Sequence, residues 1–330
     1  MRKLIIQIPC YNEEASLPVT LQALPRVVPG FDTVEWLVID DGSTDATASV
    51  ARAHGADHVL RLTVHRGLAR AFTAGLDFCI KAGADVIVNT DADNQYHAED
   101  IPVLLAPILS GEAEFVVGAR PIADIQHFSF SKKLLQWLGS WVVRMASNTD
   151  VPDAPSGFRA MTREAAMGLN VFGSYTYTLE TVIQAGRKNM AITSVPIRTN
   201  RDMRPSRLVK SPWHYVQMSM VTTVRIFMTY RPFRFFALPG AMCFALAMIP
   251  SVRYVYLHAT GAGGGNLPSL IAAAILFSAS FVLIVSGFLA ELSGVNRQLL
   301  EEIRWRLRER EYEEHQRRKR EQDQQGSGPG

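Results

Sequence analysis

The chain has 330 residues and a formal net charge of +3, enough for one sizeable α/β domain and a smaller second part. A charge this close to balance gives no reason to expect a nucleic-acid partner. Its three cysteines, Cys10, Cys79 and Cys243, show no pairing pattern, so we expect neither a disulfide framework nor a structural zinc site. Unpaired cysteines favour a protein of a reducing compartment.

Short apolar runs alternate with helical patterns through the N-terminal part of the chain. The predicted strands are residues 4–9, 34–39, 57–62, 86–89 and 115–118, and the predicted helices are residues 13–24, 44–54 and 67–83. Ser43 or Thr44 is expected to cap the second helix. Strands joined by helices make right-handed crossovers, so we expect an α/β fold with a mostly parallel sheet.

Polar segments follow three of these strands, after Ile8, after Ile39 and after Val88. In parallel sheets, ligands bind at the carboxyl ends of the strands. The third segment contains Asp91-Ala92-Asp93, with Gln95 two positions further on, and these oxygen atoms can surround a hard divalent cation. Taken alone, this pattern fits a solvated polar turn equally well.

Two stretches late in the chain, residues 233–257 and 267–290, are long and apolar enough to cross a membrane. Arginines flank the pair on its outer sides, whereas the connecting residues 258–266 contain no Lys or Arg. The positive-inside rule therefore predicts an integral membrane hairpin with the catalytic domain and both termini in the cytoplasm. Two buried core helices are the alternative. No signal peptide is expected, because the N-terminus begins directly with a strand.

The remaining segments precede and follow this hairpin in the sequence. Residues 130–147 form an amphipathic pattern that suits a helix lying in the membrane interface or one packed on the catalytic domain. Residues 1–210 are predicted to be the catalytic domain, residues 211–232 a juxtamembrane helix, and residues 291–330 a charged cytoplasmic tail, solvated and helical in part.

Several motifs occur together in a characteristic order. The three polar segments at residues 9–14, 40–45 and 91–95 resemble those of the inverting family-two glycosyltransferases, which have the GT-A fold. Ser156-Gly157-Phe158-Arg159 and the segment 201–207 are similar to motifs of the polyprenyl-phosphate branch, which includes dolichyl-phosphate mannosyltransferase. The resemblance covers residues 1 to about 232, and a two-span hairpin occurs in one subgroup of the branch. The chain departs from the pattern at His65, where many relatives have Asn, and at Arg204, which replaces a glycine.

For the donor, the resemblance implies a nucleoside pocket, a metal site and a diphosphate clamp. Asp41 would contact the base, with Asp40 supporting its loop, and Asp91, Asp93 and Gln95 would hold Mg²⁺ or Mn²⁺ against the diphosphate. Two later arginines, Arg201 and Arg207, would bind the diphosphate, because a planar guanidinium binds phosphate oxygens in pairs. The implied donor-binding residues are Pro9, Tyr11, Glu13, Asp40, Asp41, Asp91, Ala92, Arg201 and Arg207.

For the acceptor, the resemblance implies a lipid monophosphate held by basic side chains. Such a phosphate is already an anionic nucleophile, so it needs positioning more than it needs a base. A hydroxyl acceptor would require a carboxylate base, and Asp153 is then the candidate, with a structural role as the alternative. The implied catalytic residues are Asp93, Arg120 and Asp153, and the implied acceptor-phosphate residues are Arg120, Lys132, Lys133, Ser156 and Arg159.

The expected activity is metal-dependent, inverting transfer of one sugar from a nucleotide-diphosphate sugar to polyprenyl phosphate. The segment Asn94-Gln95-Tyr96 and the hairpin favour a UDP-hexose or UDP-N-acetylhexosamine donor, and GDP-mannose stays open. Hairpin enzymes of this branch associate through their spans, so a homo-oligomer is compatible with the chain.

Two alternatives remain. A processive polysaccharide synthase would have a Q-x-x-R-W motif before further spans, but the Arg304-Trp305 pair follows the last span and Gln298 has the wrong spacing. A degenerate membrane scaffold would have a damaged metal motif, whereas Asp91, Asp93 and Gln95 are all present.

Overall fold

The computed structural model describes residues 2–121, 144, 147, 149–171, 177–200, 221, 224, 225, 228, 230–261 and 267–326. The chain divides into two compact units. The first comprises Met1–Ser219 together with Ile303–Gly330, and the second comprises Met220–Glu302.

A 7-stranded sheet forms the centre of the first unit. Its strands are β1 Lys3–Cys10, β2 Thr33–Asp40, β3 His58–Arg61, β4 Val86–Asn89, β5 Phe115–Ala119, β6 Arg159–Thr162 and β7 Ile192–Pro196. Their order in the sheet is β3-β2-β1-β4-β6-β5-β7. Neighbouring strands are parallel except around β6, which runs antiparallel to β4 and to β5. The predicted α/β class with a mostly parallel sheet is therefore confirmed.

Helices cover the sheet, and two of them begin several residues later than the sequence predicts. The first starts at Leu17 because residues 13–16 form a turn in which the Ser16 hydroxyl donates to Glu13. The second starts at Thr47, and neither Ser43 nor Thr44 caps it, because both bond to the loop after β1 instead. The helices of this unit are α1 Leu17–Ala23, α2 Thr47–Ala53, α3 Leu68–Lys81, α4 Ile101–Leu109, α5 Arg163–Gly168 and α6 Thr178–Arg187.

The central strand β1 aligns the carboxyl ends of its two neighbours, β2 and β4. Leu4, Ile5, Ile6 and Ile8 are completely buried, which is typical of a parallel strand covered on both faces. The register pairs Cys10 with Asp40 on β2 and Gln7 with Asn89 on β4. The polar segments that follow β1, β2 and β4 consequently leave the sheet at one edge.

The second unit is a pair of packed apolar helices. Helix α7 spans Pro232–Ala259, and α8 begins at Leu267. Both are long and apolar enough to cross a membrane, and only 11% and 17% of their most apolar windows are buried, unlike core helices of a globular domain. Glycines lie at their contact: a Cβ on Gly240 would be 3.1 Å from Ile284 Cγ1, and one on Gly287 would be 3.3 Å from Phe236 Cβ. Small residues of this kind allow membrane helices to approach closely.

Helix α8 does not end with its apolar part but continues to Gly326. In the first unit, Arg308 on this helix is nearly buried, with a side chain that is 10% exposed. Its Nη1 donates to the carbonyls of Met167 (3.1 Å) and Leu169 (3.0 Å), and its Nη2 donates to Asp77 Oδ1 (2.7 Å). The predicted tail is thus not wholly solvated, because part of it packs against α3 and the end of α5.

We expect Arg308→Ala to lower the free energy of unfolding by about 1–3 kcal/mol, because the carbonyls of Met167 and Leu169 lose their donor. The exposed Arg310→Ala is the matched control on the same helix and should be neutral. Thermal unfolding of the detergent-solubilised protein measures both. Equal thermal midpoints for the two variants would show that the Arg308 contacts add nothing to stability.

Candidate active site

The loops after β1 and β2 are tied together at the sheet edge. The Asn12 N–H donates to Ser43 Oγ (2.9 Å), and the Thr44 N–H donates to Asn12 Oδ1 (2.9 Å). Asn12 has a φ of 55°, a left-handed conformation that asparagine tolerates. Nearby, Glu13 is 9% exposed, and its N–H donates to Thr47 Oγ1 (2.8 Å). These hydrogen bonds join the two loops that were predicted to bind the nucleoside. Pro9, the other residue predicted there, is buried within β1.

Two aspartates at the carboxyl end of β2, Asp40 and Asp41, have different hydrogen-bond partners. Asp40 Oδ1 accepts from the Ser43 N–H (2.8 Å), and its Oδ2 lies 3.3 Å from Arg61 Nε. Asp41 accepts from the backbone N–H groups of Arg66 (2.9 Å) and Gly67 (2.8 Å). Asp41 therefore anchors the loop after β3, and its predicted contact with the base stays a prediction.

His65 belongs to the same cluster. Its Nδ1 lies 2.8 Å from Asp41 Oδ2, and its ring stacks on Tyr11 with centroids 3.8 Å apart. Gly42 makes room for this arrangement, because a Cβ there would lie 2.7 Å from the His65 backbone nitrogen. His65 thus contacts two residues that were predicted to bind the nucleoside, Tyr11 and Asp41.

The segment after β4 carries the predicted metal ligands. Asp91, Asp93 and Gln95 are all partly exposed, whereas Ala92 is buried. The Gln95 N–H donates to Asp93 Oδ1 (3.1 Å) in a turn where Asn94 has a φ of 55°. The carbonyl of Ala92 accepts from Thr20 Oγ1 (2.8 Å), which fixes the segment against α1.

The electrostatics at Asp91 favour a bound cation. Burial, followed by the charge of Asp93, raises the pKa of Asp91 to about 7, although Arg120 and Arg159 act in the opposite direction. A carboxylate destabilised in this way gains from a nearby positive charge. Oxygen-only ligands suit Mg²⁺ or Mn²⁺ better than zinc.

Further ligands would have to come from elsewhere. In the part of the chain that the structure describes, no group of three or more His, Cys, Asp or Glu side chains could hold a metal. Two carboxylates and an amide at the sheet edge therefore fit a cation that completes its coordination with oxygens of a ligand such as a diphosphate.

Arg120 and Asp153 form a bidentate ion pair. Arg120 Nε donates to Asp153 Oδ2 (2.7 Å), and Nη2 donates to Oδ1 (3.0 Å). Asp153 is 1% exposed. Burial alone would lower the pKa of Arg120, but the hydrogen bonds to Asp153, together with the charges of Tyr96, Asp153 and Asp91, outweigh burial and raise that pKa. Both carboxylate oxygens of Asp153 are thus engaged in orienting Arg120, and a role as base stays a prediction.

Ser156 and Arg159 lie inside the protein. Both are completely buried. Arg159 donates to the carbonyls of Ser156 (2.7 Å) and Ala154 (2.6 Å) and to the Thr181 hydroxyl, and burial lowers its pKa to about 10. In this structure both residues shape the loop before β6, and the contact predicted for them with an acceptor phosphate stays a prediction. The remaining predicted basic residues, Lys132, Lys133, Arg201 and Arg207, lie outside the described residues, as does most of the segment 130–147.

A buried polar chain beneath the metal segment was missed from the sequence. Gln7 Nε2 donates to Asn89 Oδ1 (2.9 Å), and Asn89 Nδ2 donates to the Gly157 carbonyl (2.8 Å) and the Tyr177 hydroxyl (2.8 Å). Above them the Gly157 N–H donates to the Tyr96 hydroxyl (2.8 Å). A glutamine in the middle of an apolar strand was the one signal that could have revealed this chain.

Gly157 lies directly against the Asp91 carboxylate. A Cβ at this position would be 2.8 Å from Asp91 Oδ2 and 3.0 Å from Oδ1. Real Cβ atoms do not approach this closely, so any larger residue must displace the carboxylate. Glycine at position 157 therefore allows the two loops to approach without moving the Asp91 carboxylate.

We expect Gly157→Ala to lower the free energy of unfolding by about 1–3 kcal/mol through overpacking. It should also reduce the thermal stabilisation that Mn²⁺ provides, because Asp91 is displaced. Gly294→Ala is the control, since a Cβ there meets nothing within 4 Å. A Gly157→Ala protein with an unchanged thermal midpoint and Mn²⁺ response would contradict the close contact.

Comparisons with known proteins agree with this arrangement. The sequence profile described as Glycosyl transferase family 2 matches residues 5–169. The chain is 33% identical over 219 residues to undecaprenyl-phosphate mannosyltransferase of Micrococcus luteus, covering 63% of this chain and 88% of that protein. It is 27% identical over 219 residues to polyprenol monophosphomannose synthase of Mycolicibacterium smegmatis, covering 63% and 81%.

Solved structures share the fold. Glucosyl-3-phosphoglycerate synthase from Mycobacterium tuberculosis, in complex with phosphoglyceric acid, has a TM-score of 0.54 at 23% identity, covering 67% of this chain and 80% of that one. The same protein in complex with Mn²⁺, UDP and glucosyl-3-phosphoglycerate has a TM-score of 0.51 with the same coverage. The predicted GT-A-like fold and the predicted family are thereby confirmed, and the chain is a glycosyltransferase that belongs to glycosyl transferase family 2.

Proposed function

We propose that this protein transfers one sugar from a nucleotide-diphosphate sugar to a polyprenyl phosphate at the membrane. The observation that carries the proposal is the pair of partly exposed carboxylates, Asp91 and Asp93, at the sheet edge of a family-two domain whose chain also has two membrane-length apolar helices. The names of the relatives support a polyprenyl phosphate acceptor and a mannosyl unit.

The donor would bind across the loops after β1, β2 and β4. Asp91, Asp93 and Gln95 would hold Mg²⁺ or Mn²⁺, which, when bound, neutralises charge on the leaving nucleoside diphosphate. The fold relative that contains Mn²⁺ together with UDP supports a divalent metal. Tyr11 and Asp41 would bind the nucleoside. The hydrogen bonds that join their loops would hold both residues in position before the donor binds.

The acceptor would need orientation rather than deprotonation. A lipid monophosphate carries its own nucleophilic oxygen, so the protein must hold it in line with the anomeric carbon and exclude water. Arg120, which is bonded to Asp153 and acts on Asp91 through its charge, would bind the acceptor phosphate. Lys132, Lys133, Arg201 and Arg207 would add positive charge, and Ser156 and Arg159 would act by shaping the loop.

The flanking arginines support an orientation in which the catalytic domain and both termini would lie on the cytoplasmic side. The two apolar helices indicate membrane association. Transfer would then occur where a water-soluble donor meets a lipid acceptor, with the lipid chain staying in the bilayer.

The Asp93→Ala variant tests the metal assignment. We expect it to lower transfer of radiolabelled sugar in membranes by at least about tenfold, because one metal ligand is lost. Glu112→Ala, an exposed acidic residue, is the control and should retain wild-type transfer. Unchanged transfer by Asp93→Ala would exclude the proposed metal site.

A thermal-shift titration with GDP and UDP in the presence of Mn²⁺ tests the donor. The sequence favoured a uridine nucleotide, whereas the names of the relatives favour mannose, so we propose GDP-mannose and expect the larger shift with GDP. A larger shift with UDP would assign a uridine-linked hexose or N-acetylhexosamine instead. If neither nucleotide stabilises the protein, a degenerate scaffold becomes the better account.

A double-mutant cycle on Arg120 and Asp153 separates orientation from base catalysis. If Asp153 acts only by holding Arg120, the double variant Arg120→Ala/Asp153→Asn should be no slower than Arg120→Ala alone. If Asp153 acts independently as a base, the two losses in kcat should multiply. Sugar transfer at saturating lipid acceptor measures the cycle.

A further inference from the structure

We propose that Asn200 is a positioning residue that holds the turn of the metal segment, residues 91–95, in the conformation that binds the metal. This inference rests on the proposed function, since it concerns the same metal site. Neither the motif series nor the family resemblance assigns a role of this kind to Asn200.

A short strap, residues 197–200, leads from the end of β7 to the metal segment. The Ile197 N–H donates to the Ala119 carbonyl (3.0 Å) at the end of β5, and Ile197 is 5% exposed. Further along the strap, Thr199 forms an antiparallel β-bridge with Tyr96, the residue that follows the metal segment. The strap is therefore attached to the sheet at its start and reaches the metal segment at its end.

Arg198 fastens the middle of the strap. Its N–H donates to Asp100 Oδ2 (2.6 Å), and its guanidinium donates to Asp100 Oδ1 through Nε (2.9 Å) and Nη2 (2.7 Å). Its carbonyl accepts from the His97 N–H (3.3 Å). Because Arg198 is bonded through its amide, its carbonyl and its side chain, the strap has a fixed position next to the residues that follow the metal segment.

Asn200 makes three hydrogen bonds at the end of the strap. Its N–H donates to the Gln95 carbonyl (2.9 Å). Its Nδ2 donates to the carbonyls of Asn94 (2.9 Å) and Tyr96 (3.4 Å). A side-chain amide nitrogen has two N–H donors, so it can serve both carbonyls at the same time. Three consecutive carbonyls of the chain are thus bonded by one residue of the strap.

The turn that accepts these hydrogen bonds contains a residue in an unfavourable conformation. Asn94 has a φ of 55°, in the left-handed region, which persists where the surrounding structure holds it. The Gln95 N–H donates to Asp93 Oδ1 (3.1 Å), so Gln95 is bonded through its N–H to Asp93 and through its carbonyl to Asn200. Without the Asn200 side chain, the turn loses bonds that favour the left-handed conformation, and the spacing of Asp93 and Gln95 can change.

The metal should respond to this change because two of its three predicted ligands, Asp93 and Gln95, flank Asn94 in the turn. Loss of an outer hydrogen bond that orients a metal ligand typically lowers metal affinity by about 10–100-fold. The Asn200 side chain acts through the backbone of the turn, so we expect a loss at the lower end of this range.

Asn200→Ala in the full-length, detergent-solubilised protein tests the inference. The change removes the two side-chain hydrogen bonds and leaves the backbone bond to Gln95 in place. The measured quantities are the Mn²⁺ affinity at a saturating concentration of GDP or UDP, whichever binds the wild type more tightly, and the affinity for that nucleotide in EDTA. We expect Mn²⁺ affinity to fall by about tenfold and nucleotide affinity without metal to stay unchanged.

Thr199→Ala is the matched control on the same strap. The β-bridge of Thr199 with Tyr96 is made by the backbone, and the Thr199 side chain has no hydrogen bond within the part of the chain that the structure describes. Truncating this side chain alters the strap without removing a bond to the turn, so Mn²⁺ affinity should stay within about twofold of wild type.

The outcomes are distinct. If the wild type itself shows no metal-dependent nucleotide binding, the proposed function fails. If the wild type binds and Asn200→Ala matches it, or if Asn200→Ala and Thr199→Ala lose Mn²⁺ affinity equally, the positioning role of Asn200 is overturned. An equal loss of nucleotide affinity in EDTA would overturn it as well, because the damage would not be confined to the metal site.

A second measurement covers the case in which Asn200→Ala is unstable. Sugar transfer in membranes is followed over increasing Mn²⁺ concentration at a temperature below the thermal midpoint of the variant. Excess Mn²⁺ should restore the rate if only metal affinity is reduced. A rate that stays low at saturating Mn²⁺ would show general loss of structure and would overturn the inference.

Discussion

The antiparallel pairing of β6 with β4 is the contact on which the site depends. Its register places Arg159 opposite Asn89, so the loop before β6 meets the polar segment after β4. Gly157 then lies against Asp91, and Asn89 bonds to the Gly157 carbonyl. Had β6 been parallel to β4, the loop that precedes it would lie at the opposite edge of the sheet. The one reversed strand in this part of the sheet therefore brings the two loops together.

Two arginines near this contact, Arg159 and Arg120, have different roles. Arg159 is enclosed by carbonyls and a hydroxyl, and burial lowers its pKa, so it supports the loop at an electrostatic cost. Arg120 is paired with Asp153 in a planar, bidentate geometry that fixes where its guanidinium points. The two arginines thus have different roles, because Arg159 is fully buried whereas Arg120 lies beside the metal segment.

The sequence pattern of the C-terminal helix predicted its apolar part correctly but not the burial of a residue in its charged part. Its apolar start was recognised as a membrane-length segment because hydrophobic length alone decides that. Its charged continuation was expected to be solvated, yet Arg308 is nearly buried against α3 and the end of α5. The sequence gives no sign that Arg308 is buried, because its partners, two backbone carbonyls and Asp77, are far away along the chain.

Local patterns in the sequence determined the parallel strands, the polar segments at their carboxyl ends, the metal motif and the two apolar helices, because periodicity and composition act over neighbouring residues. Tertiary structure alone decided that Ser43 and Thr44 bond to Asn12 rather than cap a helix, that His65 stacks on Tyr11, and that the Tyr96 hydroxyl accepts from the Gly157 N–H. Each of these contacts joins residues from different strands or loops. Their partners are chosen by sheet order and register, which no local pattern contains.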